Sequence, residues 1–216
     1  MRIRRSGMIR RFGKSDVEVA GRREVHRGFA RLDVLTLRHR LHEGGWSKTF
    51  ERELYDRGHA VAVLPYDPVA DRFVLVQQFR IGAYAGAFPP WQFEAIAGML
   101  KPGETPEEVA RREALEEANL AIGALEPIAH YLSSPGASSE SVTLYCGRAD
   151  VLGAGGIHGL RHENEDIAIA TFAISDIQPL LAEPAAANAL TIIALQWLLL
   201  HRDRLRRAWT DGDASR

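Results

Sequence analysis

The sequence predicts a mixed α/β (α+β) fold, and three observations carry that prediction. Many short segments alternate polar and apolar residues, which is the two-residue period of β-strands. Two longer segments, starting near Thr105 and Ala186, have the patterning of amphipathic helices. The strand-like segments lie before, between and after these helices, an order that favours a mixed sheet flanked by helices.

Composition and charge narrow the classes of protein that the chain can belong to. Its 216 residues suffice for one large domain, or for a small domain beside a main one. The 46% of hydrophobic and 25% of charged residues are ordinary for a globular protein. A net charge of -1 gives no sign of nucleic acid or an anionic membrane as a partner, so we expect neither. The most apolar segment, ALTIIALQWLLL, is too short to span a bilayer.

The chain has a single cysteine, Cys146, which cannot form a disulfide within the chain. A lone thiol fits a reducing compartment, and we therefore expect a cytoplasmic protein. Because Cys146 lies in the apolar run SVTLYC, we interpret it as a small buried hydrophobic residue rather than a catalytic nucleophile. The basic segment MRIRRSGMIRRFGK is followed by no apolar stretch and is interpreted as a solvated tail.

The predicted strands fall into two groups. Within residues ~16–56, DVEVA, GFARLDVLTLRHRL and SKTFERELYD predict antiparallel strands of a small separate sheet. GHAVAVLPYDP and DRFVLVQQFR then predict two strands joined through a turn at Asp67–Asp71. Four further segments are each predicted to form one strand: WQFEAIAG, PIAHYLSS, SVTLYCGRAD and DIAIATFAI.

Each predicted helix has an end signal. Thr105 is a good N-cap, Pro106 suits the first helical position, and Glu108 completes a capping box. This helix should run to about Ala118 and end at Asn119, which tolerates the left-handed conformation. The second helix covers roughly residues 186–207 and is basic at its end, as the helix dipole favours.

Three carboxylates on the first helix are the most informative feature of the chain. At about 100° per residue, Glu113, Glu116 and Glu117 lie within an arc of roughly 100° on one face. A solvated acidic face explains one such pair, but like charges at this spacing destabilise a helix, and a bound divalent cation reverses the repulsion. Oxygen ligands suit Mg²⁺ or Mn²⁺ better than Zn²⁺. Arg112 lies one turn before Glu116 and should pair with it.

A tight loop precedes the helix, and loop and helix together resemble a known motif. Turn residues in GMLKPGE would bring the backbone near Ala97 to face the carboxylates. The segment resembles the Nudix box, G-x5-E-x7-R-E-U-x-E-E-x-G-U, where U is a bulky aliphatic residue. The matching residues are Gly98, Glu104, Arg112, Glu113, Glu116, Glu117 and Leu120. Ala114 replaces the aliphatic residue and Asn119 the glycine, and neither departure touches a carboxylate.

The Nudix resemblance implies a fold and a reaction class. It implies a Nudix-type mixed β-sheet core flanked by helices, and hydrolysis of a diphosphate linked to another group. Mg²⁺, which Mn²⁺ can replace in such sites, would be held by Glu113, Glu116, Glu117 and the carbonyl of Ala97.

Outside the box, residues from about Phe12 to Trp209 resemble the ADP-ribose pyrophosphatase branch of the family. In SSPGASSE, Pro135 resembles a marker proline of the branch, and the resemblance implies that Glu140 binds substrate. In GIHGLRHENEDIAIATF it implies that Glu163 is the general base and that Glu165 is an auxiliary metal or water contact.

The N-terminal region carries the rest of this resemblance. Phe29 is similar to a residue near the adenine, and Arg52 to an arginine that reaches from one subunit into the site of the other. Arg80 is similar to a contact of the diphosphate or ribose. A surface salt bridge is the alternative for each arginine. The resemblance implies a homodimer whose small β-domain is swapped, with residues 1–57 as tail and small β-domain, 58–209 as catalytic domain and 210–216 as C-terminal tail.

Three functions follow from the sequence, and one is favoured. We expect Mg²⁺-dependent hydrolysis of ADP-ribose, a small nucleotide sugar, to AMP and ribose 5-phosphate. The first alternative is hydrolysis of another nucleoside diphosphate sugar such as GDP-mannose, or of a dinucleotide. The second is a domain that binds ADP-ribose without cleaving it. The retention of all three box carboxylates argues against this sensor, as does the lack of an obvious DNA-binding segment.

Overall fold

The structure is a computed structural model, and it describes residues 9–159 and 164–210. These residues form two compact units, which are treated separately below. The first contains the chain up to Gly58 together with Ser134–Glu140. The second contains His59–Ser133 and the chain from Ser141 onwards.

The first unit is built on an antiparallel sheet of three strands in the order β1-β2-β3. Its strands are β1 (Val17–Arg27), β2 (Arg31–His39) and β3 (Phe50–Asp56). The three predicted N-terminal strands are thus confirmed, although β1 extends well past DVEVA. Its second half, AGRREVHR, has no clean alternation because the register shifts twice, between Val19 and Gly21 and between Glu24 and His26.

The second unit is built on a mixed sheet. Its strands are β4 (Ala60–Asp67), β5 (Arg72–Phe79), β6 (Trp91–Glu94), β7 (Ile96–Met99), β8 (Leu125–Leu132), β9 (Ser141–Arg148), β10 (Ile157–His158) and β11 (Ile167–Ala173). The main path runs β10-β11-β5-β4-β9-β8, with β6 paired to β5 and β7 to β4. Strands β4 and β9 are parallel, whereas β4 and β5 are antiparallel, so the predicted mixed sheet is confirmed.

The segment WQFEAIAG forms two strands, and the prediction of one strand was wrong. Strands β4 and β5 pair only at their turn end, where Tyr66 lies opposite Phe73. Beyond that point they part, and the segment changes partner between them. Glu94 of β6 lies opposite Val76 of β5, while β7 pairs with β4. This change of partner depends on a distant split in the sheet and leaves no local signal.

Four α-helices are present in the described residues, namely α1 (Ile81–Ala85), α2 (Pro106–Ala118), α3 (Ile177–Leu181) and α4 (Ala189–Thr210). Both predicted ends of α2 are confirmed: the Thr105 hydroxyl accepts the N–H of Glu108 at 3.3 Å, and Asn119 has a φ of 51°. Helix α4 begins later than predicted, because Asn188 caps it by accepting the N–H of Thr191 at 3.0 Å. The five-residue helices α1 and α3 are too short to show helical periodicity.

The sheet of the second unit has apolar side chains on both faces. Alternate residues of β4 point to opposite sides, so that Val61 and Val63 join the core under α2 while Leu64 and Tyr66 join the core under α3 and α4. Cys146 is buried in the second of these cores as a free thiol, which confirms its interpretation as a small hydrophobic residue. Within the described residues, no helix is both long and apolar enough to cross a membrane.

Candidate active site

Helix α2 presents its carboxylates at the strand that leads into it. The helix packs on β4 and β7 through small and branched side chains, of which Val109, Ala110 and Ala114 are fully buried. Ala114 occupies the box position that usually holds a bulky aliphatic residue. A methyl group there lets the helix backbone approach the sheet closely.

Gly98 is required by the closeness of α2 to β7. A Cβ atom at this position would overlap the carboxylate of Glu113. The conformation of Gly98 does not demand glycine, because its φ is not among the positive values. Glycine is needed here for space alone, and it lets the carboxylate of Glu113 lie against the backbone beside Ala97.

Glu117 is a buried carboxylate whose hydrogen-bond and charge partners do not offset the cost of its burial. It is 5% exposed, and its Oε2 atom has no hydrogen-bond partner among the described residues. Burial, together with the charge of Glu113, raises the pKa of Glu117 to about 8. Arg80 and the backbone N–H of Ala97 oppose that rise but do not cancel it. A carboxylate in this state is a ready oxygen ligand for a cation, whose charge would favour its ionised form.

Arg112 holds the other acidic side chains of the box in place. Its guanidinium contacts Glu104 at 2.9 Å, Glu113 at 2.6 Å and Glu116 at 3.2 Å. The predicted Arg112–Glu116 pair is therefore present, and the same guanidinium also ties the loop before α2 to the helix. Burial raises the pKa of Glu113 despite the opposing charge of Arg112.

The described residues contain the donors for a cation but not a closed site. Across residues 9–159 and 164–210, no three His, Cys, Asp or Glu side chains lie close enough together to hold a metal ion. Glu165 lies near enough to Glu117 for its charge to contribute to the raised pKa of Glu117. Glu163 lies outside the described residues, so its predicted role as the base stays a prediction. The oxygen donors and the unpartnered Oε2 of Glu117 fit Mg²⁺.

Arg80 lies at the same site and is held by a residue that the sequence analysis missed. Its guanidinium contacts the carboxylate of Glu94 at 2.6 Å, and Glu94 is 8% exposed. The positive charge of Arg80 is the strongest of the influences that lower the pKa of Glu117. A glutamate inside the largely apolar segment WQFEAIAG was the available signal, since a buried carboxylate needs a cationic partner.

The first unit brings two of its three predicted site residues into one place. Phe29 is 84% exposed in the turn between β1 and β2. Arg57 connects it to Glu140, with its guanidinium 5.9 Å from the Phe29 ring and 3.3 Å from the Glu140 carboxylate. Arg52 lies elsewhere, roughly 13 Å back along β3 from Asp56. There it stacks on Phe50 at 4.5 Å.

A cavity of the second unit lies away from the carboxylates. It has a volume of about 660 Å³ and is lined by residues such as Pro68, Val69, Arg148 and Leu152. It lies at the turn end of β4, whereas the segment of β4 that pairs with β7 is at the other end. None of the predicted site residues lines this cavity, so its size does not identify it as the reaction centre.

Comparisons with known proteins agree with this geometry. The family model described as NUDIX domain matches residues 56–194. The ADP-ribose pyrophosphatase of Escherichia coli (strain K12) is 45% identical over 198 residues, covering 92% of this chain and 95% of that protein. The ADP-ribose pyrophosphatase of Haemophilus influenzae is 38% identical over 204 residues, covering 93% and 94%.

More distant relatives and a solved structure extend the comparison. The GDP-mannose pyrophosphatase of Cronobacter sakazakii is 32% identical over 155 residues, covering 69% of this chain and 78% of that protein. A solved structure described as an ADP compounds hydrolase covers 96% of this chain and 98% of its own, with a TM-score of 0.66. At 19% identity, that likeness concerns the fold alone. With the box glutamates on α2 and a family model that matches well over half of its length, the chain belongs to the Nudix family of hydrolases.

Proposed function

We propose that the chain is a Mg²⁺-dependent hydrolase that cleaves the diphosphate of ADP-ribose into AMP and ribose 5-phosphate. The observation that carries the reaction is the buried, incompletely partnered Glu117 beside Glu113 on α2. The substrate is supported by the relatives that are named ADP-ribose pyrophosphatase and align with 92–93% of the chain. The reducing compartment inferred from the lone Cys146 supports the cytoplasm as its location.

The residues proposed to hold the metal all offer oxygen atoms. They are Glu113, Glu116 and Glu117 of α2, the carbonyl of Ala97, and Glu165, and Mn²⁺ suits the same donors. A divalent cation held there would neutralise charge on the diphosphate and lower the pKa of a bound water. Arg112 orients Glu113 and Glu116 before any cation binds, because it already contacts both carboxylates.

Hydrolysis also needs a base and a positively charged side chain beside the diphosphate. While they held the metal, the helix carboxylates would be poor proton acceptors, so a separate base is required. We propose Glu163, in the acidic run after the glycine-rich segment, as the group that takes the proton of the attacking water. Arg80, which is 42% exposed and held by Glu94, would stabilise the negative charge that spreads over the phosphate oxygens.

Substrate recognition is proposed to involve the first unit and a second copy of the chain. Phe29 would stack on the adenine and Glu140 would accept hydrogen bonds from the nucleoside. We propose residues 1–57 as tail and swapped β-domain of a homodimer, 58–209 as catalytic domain and 210–216 as C-terminal tail. The swap would bring Arg52 to the other subunit's site, which fits its separation from Phe29 and Glu140 within one chain. Light scattering should show about twice the chain mass, and mixed Arg52→Ala and Glu113→Gln subunits should regain activity.

Hydrolysis of GDP-mannose is the second candidate, because a GDP-mannose pyrophosphatase is among the relatives. That relative aligns with 69% of the chain, against 92% for the Escherichia coli ADP-ribose pyrophosphatase. ADP-ribose is therefore the better supported substrate.

Product analysis tests the proposal. The protein is incubated with ADP-ribose and Mg²⁺, and the products are separated by ion-exchange chromatography. We expect equal amounts of AMP and ribose 5-phosphate, and no turnover in excess EDTA. Products other than these two, or undiminished turnover in EDTA, would overturn it.

A further inference from the structure

Strands β10 and β11 pair antiparallel, and β10 contacts the helix that carries the box glutamates. His158 lies opposite Ile167 in this short ladder. The pairing continues before β10, because the N–H of Ile169 donates to the carbonyl of Gly156 at 3.0 Å. The residues that follow His158 and those that precede Ile167 therefore leave the ladder side by side.

Gly159, the residue after β10, lies directly against Glu165. A Cβ atom at Gly159 would be 2.7 Å from the Cβ atom of Glu165 and 3.2 Å from its carbonyl carbon and oxygen. Rotation of the Glu165 side chain cannot relieve this overlap, since the atoms belong to its backbone or are bonded to it. Gly159 also has a φ of 101°, which residues with a side chain rarely adopt. Glycine is needed at this position for its space and for its conformation.

Glu165 links this backbone contact to the carboxylates of α2. Its negative charge is among the influences that raise the pKa of Glu117, so the two carboxylates lie within electrostatic reach of each other. Glu117 is the buried carboxylate whose Oε2 atom has no hydrogen-bond partner among the described residues. An added atom at Gly159 would displace the backbone of Glu165 and turn its carboxylate relative to Glu117.

We propose that Gly159 is a positioning residue that holds the carboxylate of Glu165 at the metal site, by letting the backbone of Glu165 pack against it. This inference rests on the proposed function, in which Glu165 offers an oxygen atom to the cation. It extends that function to the residue that sets where this glutamate can reach. Because backbone packing fixes the position before a cation binds, little chain freedom is lost on binding.

Two glycines of the same segment provide matched controls. Gly153 also has a positive φ, 83°, but nothing lies within 4 Å of a Cβ atom there. Gly155 has neither a positive φ nor a neighbour within 4 Å. Gly153→Ala therefore measures the effect of the conformation, and Gly155→Ala the effect of an added methyl group. Only Gly159→Ala adds the collision with Glu165.

The test measures Mn²⁺ binding without substrate, from the EPR signal of free Mn²⁺, together with urea unfolding. The variants are Gly153→Ala, Gly155→Ala, Gly159→Ala, Glu165→Gln and Gly159→Ala/Glu165→Gln. Gly159→Ala should raise the Kd for Mn²⁺ by about 10–100-fold, the usual effect of disturbing a residue that orients a metal ligand. Gly153→Ala should lower the urea midpoint and still bind Mn²⁺ as the unaltered protein does. The double variant should bind no more weakly than Glu165→Gln, because Gly159 acts through Glu165.

Three results would overturn the inference alone. The first is Mn²⁺ binding by Gly159→Ala that is as tight as in Gly153→Ala. The second is unchanged Mn²⁺ binding by Glu165→Gln, and the third is losses that add in the double variant, since Gly159 would then act independently of Glu165. Gly159→Asn replaces Gly159→Ala if the latter does not fold, because asparagine carries the same Cβ atom and tolerates a positive φ better.

The proposed function fails in a different way. If the unaltered protein bound Mn²⁺ but did not hydrolyse ADP-ribose, the proposed substrate would be wrong, while the binding comparison, which contains no substrate, would still decide the role of Gly159. If the unaltered protein bound no Mn²⁺, the proposed function and the inference would both be overturned.

Discussion

At the scale of single residues, Gly98 determines where Glu113 can lie. A methyl group at Gly98 would occupy the space of the Glu113 carboxylate and force it away from Ala97. We expect Gly98→Ala to lower kcat/KM by about 100-fold, because misplacing a catalytic group by roughly 1 Å costs that much. Gly13→Ala is the control, since nothing lies within 4 Å of a Cβ atom there. Equal activity of the two variants would show that Glu113 need not lie against Gly98.

Glu117 predicts a pH dependence of stability in the absence of metal. Burial raises the pKa of Glu117 from 4.5 to about 8 in the folded chain, so the folded state keeps a proton that the unfolded state releases. The stabilisation is complete below pH 4.5 and is lost as the pH rises through about 8. In excess EDTA, the free energy of unfolding should fall by a few kcal/mol more between pH 5 and 8 than in Glu117→Gln. If thermal or urea unfolding gave the same pH dependence of the free energy of unfolding for the unaltered protein and for Glu117→Gln, the prediction would be wrong.

Glu163 is proposed as the general base, and its replacement tests that role. Glu163→Gln should lower kcat by roughly 10²–10⁴-fold, which is the usual contribution of a general base. Substrate affinity should hardly change, because the box carboxylates would still be able to hold the metal. Glu113→Gln should in addition weaken metal binding, so both variants are compared at saturating Mg²⁺. A collapse of kcat in Glu165→Gln or Glu140→Gln, with Glu163→Gln largely active, would assign the base to another glutamate.

At the scale of elements, the end of α2 carries strain that one substitution should relieve. Asn119 adopts the left-handed conformation, with a φ of 51°, at the box position that usually holds glycine. Asn119→Gly should raise the free energy of unfolding by roughly 0.5 kcal/mol, and Asn119→Ala should lower it by about 1 kcal/mol. Urea unfolding of the two variants measures both effects. A stabilising alanine would show that the left-handed turn is not what ends the helix.

Elements with local signals were predicted accurately, and those that depend on distant partners were not. The cap of α2 at Thr105 and its end at Asn119 are determined by residues within one turn, so the sequence predicted both ends. The division of WQFEAIAG into β6 and β7 follows from the parting of β4 and β5, which no residue in that segment reveals. Arg57 belongs to no recognisable motif in the sequence. Its contact with Glu140 appears only in the folded chain, where the loop that ends at Glu140 lies beside it.

At the scale of the whole molecule, the chain returns to its first unit late in the sequence. Ser134–Glu140 belongs with the N-terminal strands, although more than 70 residues separate it from Gly58. Single-sequence patterns predicted a separate N-terminal sheet but could not predict this return, because it depends on long-range backbone pairing between Tyr55 and the loop. The proposed division at residue 57 therefore leaves out one segment of the first unit.

We propose that this Nudix hydrolase acts on ADP-ribose through a metal held by α2. The most direct test is kcat/KM measured with saturating Mg²⁺ for ADP-ribose, GDP-mannose and a dinucleotide such as diadenosine diphosphate. We expect the highest value for ADP-ribose, by at least about tenfold, and loss of that activity in Glu117→Gln. A higher value for GDP-mannose, or full activity of Glu117→Gln, would contradict it.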